Sequence, residues 1–129
     1  MENPLHRARI LVVDDDRDVR DSTCALLDAF GYEVVEAENI ADALQSILAQ
    51  PPDVIFTDIC MPDGDGYSLL RALKTRAINV PVIVSSGGSY IAGTDPFAAA
   101  LLLGAVAVVE KPFLADRLRE AITQVLSSK

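Results

Sequence analysis

Short apolar runs alternate with longer segments of helical period along the chain. Runs rich in β-branched residues predict strands over Arg9 to Val13, Glu33 to Ala37, Val54 to Asp58, Val82 to Ser85 and Val106 to Val109. The first, third and fourth of these are apolar almost throughout, as in central strands that helices cover on both faces. The alternation therefore predicts βα units that build a parallel sheet.

Most of the segments that follow these runs have an amphipathic period. The first predicted helix ends at Gly31, and the second runs from about Ile40 to Gln50 before a pair of prolines. The third follows Gly66, and the fifth repeats apolar residues at Leu114, Leu118, Ile122 and Val125. Each of these helices is expected to bury one face against the sheet.

The fourth helical segment differs from the others because residues 97–103 include no polar side chain. Whichever side faces outward would expose apolar surface, which is typical of an interaction surface. The alternative is that the alanines of this segment make its outer face apolar but small. The sequence pattern leaves both interpretations open.

Acidic residues stand at the ends of two predicted strands. Asp14, Asp15 and Asp16 follow the first strand, and Asp58 closes the third. In a flavodoxin-like sheet of order 2-1-3-4-5, the crevice lies at the carboxyl ends of strands one and three. Carboxylates that meet there repel one another unless a cation shares the site, and hard oxygen ligands suit Mg²⁺. The pattern predicts a magnesium site with a carboxylate left for another task.

A basic and a hydroxyl side chain are predicted at the same edge. Ser86 stands one residue beyond the predicted fourth strand, and Lys111 stands two residues beyond the fifth. A carboxylate that attacks phosphorus needs cations to neutralise the equatorial oxygens of the transferred group. The ammonium would hold a phosphoryl group as a point charge, and the hydroxyl would donate a hydrogen bond.

Size and charge limit the functions to consider. A chain of 129 residues predicts one domain over residues 1–129, with a core from about 9 to 127 and an N-terminal tail over 1–8. A net charge of −8 disfavours binding to nucleic acid. The apolar run near the N-terminus, Ile10 to Val13, is too short for a signal-peptide core, and the longest apolar stretch, Phe97 to Val109, is too short for a membrane span. We therefore expect a cytoplasmic protein that binds neither nucleic acid nor membrane.

The stretches LVVDDD, DVIFTDICMPDGDG, VPVIVSSG and GAVAVVEKPF resemble the signature segments of response regulator receivers in two-component signalling. The resemblance extends from about Arg9 to Ser127. It implies that Asp58 is the phosphoacceptor and that Asp14 and Asp15 bind Mg²⁺ directly or through water. It also implies that the carbonyl of Cys60 is the remaining protein ligand.

The same resemblance assigns the other groups and the partners. Ser86 matches the family's Thr or Ser hydroxyl, and Lys111 matches its lysine. The implied donor is a histidine kinase or a phosphotransfer protein that carries phosphohistidine, and Mg²⁺-dependent hydrolysis resets the switch. We expect a stand-alone signalling phosphoacceptor, not an enzyme acting on other molecules. It would be a monomer or weak homodimer that contacts an unidentified downstream protein through its fourth strand, fourth helix and fifth strand.

The sequence departs from the family pattern at one position and leaves other functions to weigh. Val108 stands where receivers commonly have Tyr or Phe, which makes a degenerate receiver that acts as a constitutive interaction module the main alternative. A phosphatase with an aspartate nucleophile after its first strand would need a DxDx[TV] motif, and Arg17 and Asp18 fit that motif poorly. Flavin binding is disfavoured because three aspartates after the first strand would repel phosphate.

Overall fold

One parallel sheet forms the centre of the computed structural model, which describes residues 7–59, 66–86, 96–110 and 115–128. Its strands are β1 (Arg9–Val13), β2 (Glu33–Ala37), β3 (Val54–Asp58), β4 (Val82–Ser86) and β5 (Ala107–Glu110). The strand order is β2-β1-β3-β4-β5, and every neighbouring pair is parallel. The predicted flavodoxin-like topology is confirmed.

The strand boundaries agree closely with those predicted from the β-branched runs. The first three strands begin and end at the predicted residues. Strand β4 is longer than predicted because it includes Ser86, and β5 begins at Ala107 and ends at Glu110. The placement of Ser86 beyond the fourth strand was therefore wrong, since the backbone of Ser86 still pairs opposite Glu110.

Helices cover both faces of the sheet. They are α1 (Arg17–Ala29), α2 (Ile40–Ala49), α3 (Gly66–Thr75), α4 (Pro96–Leu102) and α5 (Ala115–Ser127). Leu27 of α1 and Leu118 of α5 pack with Ile10 and Val12 on one face. Residues of α2, α3 and α4 pack with Leu11 and other residues on the opposite face. Because successive residues of a strand point to opposite faces, the continuous apolar run of β1 serves both layers.

Polar side chains mark where the first two helices begin. The carboxylate of Asp16 accepts hydrogen bonds from the backbone N–H groups of Asp18 and Val19, and Asn39 caps α2 through the N–H of Asp42. Each cap satisfies N–H groups that have no partner within the helix. Asp16 is thus an N-cap, as its position before the helical period predicts. No helix among the described residues has both the length and the apolarity needed to span a membrane.

Helices α1, α3 and α4 end in the same hydrogen-bond pattern, in which two successive N–H groups bond back into the last turn. In α1 Gly31 adopts a φ of 95°, and in α4 Gly104 adopts a φ of 112°. In α3 the equivalent residue is Ala77, with a φ of 55°. This left-handed conformation suits glycine and is unfavourable for a residue that carries a Cβ.

Ala77→Gly is expected to stabilise the protein. Relief of the left-handed strain, roughly 1–2 kcal/mol, exceeds the roughly 0.5–1 kcal/mol that glycine loses through chain entropy. We expect the free energy of unfolding in urea to rise by about 0.5–1 kcal/mol. The matched control is Ala25→Gly on the exposed face of α1, which should lower it by about 1 kcal/mol. Equal losses at both positions would contradict this account of the α3 end.

The structure shows which residues of the fourth helical segment face outward. Ala100 is fully buried, whereas 52% of Leu101 and 85% of Leu102 are exposed. Val106, just before β5, is also 53% exposed. The outward residues at this end of α4 are therefore large leucines and not small alanines. These residues expose apolar area at the end of α4 and just before β5.

Candidate functional site

Carboxylates from two neighbouring strands meet at the carboxyl edge of the sheet. Val13 of β1 is opposite Thr57 of β3, so the next residues along the chain, Asp14 and Asp58, lie side by side at this edge. One carboxylate oxygen from each of Asp14, Asp15 and Asp58 lies within 4.8 Å of the other two. The predicted convergence of the two acidic segments is confirmed for these residues.

The surroundings of the three carboxylates differ. Asp14 and Asp58 are 5% and 9% exposed, whereas Asp15 is exposed to solvent. The N–H of Asp14 donates to the carbonyl of Ala37 at 3.1 Å, which continues the pairing of β1 with β2. The N–H of Asp16 donates to Oδ1 of Asp14 at 2.9 Å. The hydrogen bond from Asp16 thus orients the Asp14 carboxylate, and the bond to Ala37 fixes its backbone.

This donor set suits a small divalent cation. All of its donors are carboxylate oxygens, two of them on largely buried residues, and like charges held so close favour a cation that shares the site. Mg²⁺ prefers hard oxygen ligands and is usually held by one or two carboxylates together with water and a phosphate oxygen. The arrangement could therefore hold Mg²⁺ and still present one carboxylate to an incoming group.

Of the other predicted site residues, Ser86 ends a described segment, and Cys60 and Lys111 lie outside the described residues. Asp58 is opposite Ser85 in β4, and the N–H of Ile59 donates to the carbonyl of Ser85 at 2.9 Å. This pairing brings the backbone of Ser86, the last residue of β4, to the same edge of the sheet. The roles of Cys60 and Lys111 stay predictions. Lys111 directly follows Glu110, at which β5 ends.

Arg20 and Glu36 belong to this region although the sequence patterns did not single them out. Nη1 of Arg20 donates to the carbonyl oxygen of Asp14 at 2.7 Å. Its Nε donates to Oε1 of Glu36 at 3.1 Å. Arg20 lies one helical turn after the Asp16 cap, a position from which a long side chain can reach back to the β1–α1 loop. That spacing from Asp16 is the sequence feature from which the contact of Arg20 with the loop could have been proposed.

The thiol of Cys24 borders the same group of side chains. Burial, and after it the negative charge of Glu36, raise the pKa of Cys24 from 9.0 to about 12 against the opposing effect of Arg20. A thiol with this pKa is almost fully protonated at neutral pH, and the thiolate is the reactive form. Cys24 is therefore a packing residue in the half-buried face of α1.

Alkylation of Cys24 by iodoacetamide at pH 8 is expected to be slow in the native protein. The variant Cys60→Ser leaves Cys24 as the one thiol of the chain. The shift from 9.0 to about 12 lowers the thiolate population. Native protein should react at least about 100-fold more slowly than the same protein in urea, because each pKa unit changes that population about tenfold. Rates within about tenfold of each other would show that burial does not protect the thiol.

Comparison with known proteins agrees with this geometry. The family model described as the response regulator receiver domain matches residues 10–123. The chain is 37% identical to the chemotaxis protein CheY of Bacillus subtilis over 121 residues, covering 92% of this chain and 98% of CheY. It superposes on the receiver domain of NtrX from Brucella abortus with a TM-score of 0.85 at 34% identity, covering 93% of this chain and 99% of that one.

Several relatives are longer proteins. The transcriptional regulatory protein PrrA of Mycobacterium tuberculosis is 38% identical over 126 residues, which cover 98% of this chain and 53% of PrrA. The chain therefore spans about half the length of this relative and nearly all of CheY. The similarity concerns the receiver portion that these proteins share.

Proposed function

Because the chain belongs to the response regulator receiver family, we propose that it accepts a phosphoryl group on Asp58 and signals through a change in protein contacts. The observation that carries the proposal is the convergence of Asp14, Asp15 and Asp58 within 4.8 Å at one edge of the sheet. Asp58 closes β3 there, and its side chain keeps a small exposed fraction of 9%. Its carboxylate oxygen is the nucleophile in this proposal.

In the transfer step, a carboxylate oxygen of Asp58 forms a bond to phosphorus as the bond between phosphorus and the donor atom breaks. The leaving group departs with that electron pair, and it takes up a proton if it is the imidazole of phosphohistidine. The attacking and leaving atoms are in line, so the residues around them act mainly by positioning and by stabilising charge. We assign Lys111 to the phosphoryl charge and the hydroxyl of Ser86 to a hydrogen bond with the transferred group.

Asp14, Asp15, Asp58 and the carbonyl of Cys60 are the proposed Mg²⁺ ligands. When bound, Mg²⁺ neutralises charge on the phosphoryl oxygens and relieves the repulsion among the carboxylates. The buried position of Asp14 and its hydrogen bond from Asp16 fix one ligand in advance. This preorganisation leaves the exposed Asp15 as the ligand with most freedom to adjust.

The proposed donor is a histidine kinase or a phosphotransfer protein, and the proposed output surface is formed by β4, α4 and β5. Leu101, Leu102 and Val106 support that surface because each exposes more than half of its area. We also propose that the receiver works without an attached effector and in the cytoplasm. Under this proposal the downstream partner is a protein that binds the exposed leucines of α4.

Incubation with acetyl phosphate tests the proposal. Intact mass should increase by one phosphoryl group with Mg²⁺, and no adduct should form with EDTA in its place. Backbone amide shifts in β4, α4 and β5 should differ between spectra recorded with and without beryllofluoride. Formation of the adduct without these spectral changes would retain the phosphoacceptor and overturn the assigned surface.

The same experiment tests the alternative of a constitutive interaction module. Val108 favours that alternative, because it is a partly buried aliphatic residue packed against the core where receivers commonly have an aromatic ring. A module of this kind would form no adduct and would show no response to beryllofluoride. Either response therefore separates the two functions.

A further inference from the structure

We propose that Arg20 is a positioning residue of the acidic site, which holds the backbone of Asp14 in place for cation binding. The proposal rests on the Mg²⁺ site proposed above. The Arg20 side chain is only 12% exposed, and it donates hydrogen bonds to two different parts of the fold. One ends on the carbonyl of Asp14, and the other ends on Glu36 of β2.

These contacts complete the restraint of Asp14. Its N–H is bonded to Ala37, its carboxylate accepts from the N–H of Asp16, and its carbonyl accepts from Arg20. The first two bonds are made by neighbouring backbone, whereas the third is made by a side chain of α1. Arg20 therefore ties the acidic loop to both α1 and β2. A residue of this kind acts on a metal through the orientation of its ligand.

The charge and the position of Arg20 predict opposite effects on cation affinity. If Arg20 acted only through its charge, its removal would strengthen Mg²⁺ binding, because a positive charge beside the site repels the cation. If Arg20 positions Asp14, its removal should weaken binding, since the loop loses its side-chain restraint. The sign of the change therefore separates the two roles.

The test measures the Mg²⁺ dissociation constant of Arg20→Met from backbone amide shifts of Asp14, Asp15 and Asp16. We expect binding about tenfold weaker than in the wild-type protein, the lower end of the usual effect of outer ligand partners. In the Mg²⁺-free protein, hydrogen exchange at the N–H of Asp16 should become faster. Arg20→Lys keeps the charge but not the two-pronged geometry, so it should also bind Mg²⁺ more weakly than the wild-type protein.

The chain offers a matched control in Arg17→Met. Arg17 lies on the same helix, is 84% exposed, and pairs with Asp21 at 3.9 Å. This variant removes the same charge without touching Asp14, so its Mg²⁺ affinity should stay within about twofold of wild type or rise slightly. In a Glu36→Ala background, Arg20→Met should weaken binding by less than it does alone, because the two side chains act as one unit.

Each result has a distinct meaning. If the wild-type protein shows no Mg²⁺-dependent shifts at Asp14 to Asp16, the proposed site itself fails. If the wild-type protein binds Mg²⁺ and Arg20→Met binds it equally well or more tightly, the site stands and the positioning role of Arg20 is wrong. A lower melting temperature with an unchanged dissociation constant would make Arg20 a purely structural residue.

Discussion

Asp58→Asn is expected to take up no phosphoryl group from acetyl phosphate, even with saturating Mg²⁺. An amide oxygen is a much poorer nucleophile than a carboxylate oxygen, and its attack on phosphorus would not give an acyl phosphate. The substitution keeps the size of a residue that is only 9% exposed, so the fold should persist. Intact mass of the variant should therefore be unchanged under conditions that modify the wild-type protein.

Asp53→Asn is a matched control next to the same strand. Asp53 directly precedes β3, at the opposite end from Asp58, and its Oδ2 accepts a hydrogen bond from the N–H of Arg9 at 2.7 Å. The amide oxygen of Asn can still accept this bond, so the variant should fold and accept a phosphoryl group as the wild-type protein does. Comparison of the two variants separates loss of the reacting carboxylate from loss of a carboxylate elsewhere near β3.

An adduct on Asp58→Asn would contradict the assignment, and peptide mapping would show where it lies. Modification of Asp14 or Asp15 would mean that the acidic cluster reacts but that its nucleophile was misidentified. Loss of the adduct in Asp53→Asn as well would point to a general defect in the fold. A thermal melt of both variants distinguishes these outcomes.

The sheet could be predicted from the sequence because its strands are short, β-branched and bounded by breakers. Residues that alternate between the two helical layers are apolar over residues 10–13 of β1 and 54–56 of β3, and this pattern identifies covered central strands. The end of β4 was less certain, since Ser85 and Ser86 carry no apolar signal. Backbone pairing of Ser86 with Glu110 extends the strand to a residue that the pattern of apolar side chains does not mark.

The acidic cluster was also predictable, because topology brings the ends of neighbouring parallel strands together. The contacts of Arg20 were not, since a long flexible side chain can reach several acceptors and the sequence does not choose among them. Its selection of the Asp14 carbonyl and Glu36 depends on the distance between α1 and β2. Likewise, the exposure of Leu102 depends on how α4 is rotated against the sheet.

Leu27→Ala is expected to lower the free energy of unfolding by about 3 kcal/mol, within the usual range for a buried leucine. Leu27 is fully buried and packs between the sheet and α5, where truncation leaves a cavity. Domains of this kind are stable by roughly 5–15 kcal/mol, so the loss is a large part of the total. Urea unfolding should show a lower midpoint with little change in slope.

Leu48→Ala makes the same chemical change on α2, where 61% of the leucine is exposed, and should change stability by no more than about 0.5 kcal/mol. Leu27 lies about two helical turns beyond Arg20, so the Mg²⁺ affinity of folded Leu27→Ala should match that of the wild-type protein. If affinity instead falls as far as it does in Arg20→Met, the packing of α1 as a whole determines the site. Unchanged affinity in this less stable variant would assign the effect to the hydrogen bonds of Arg20 itself.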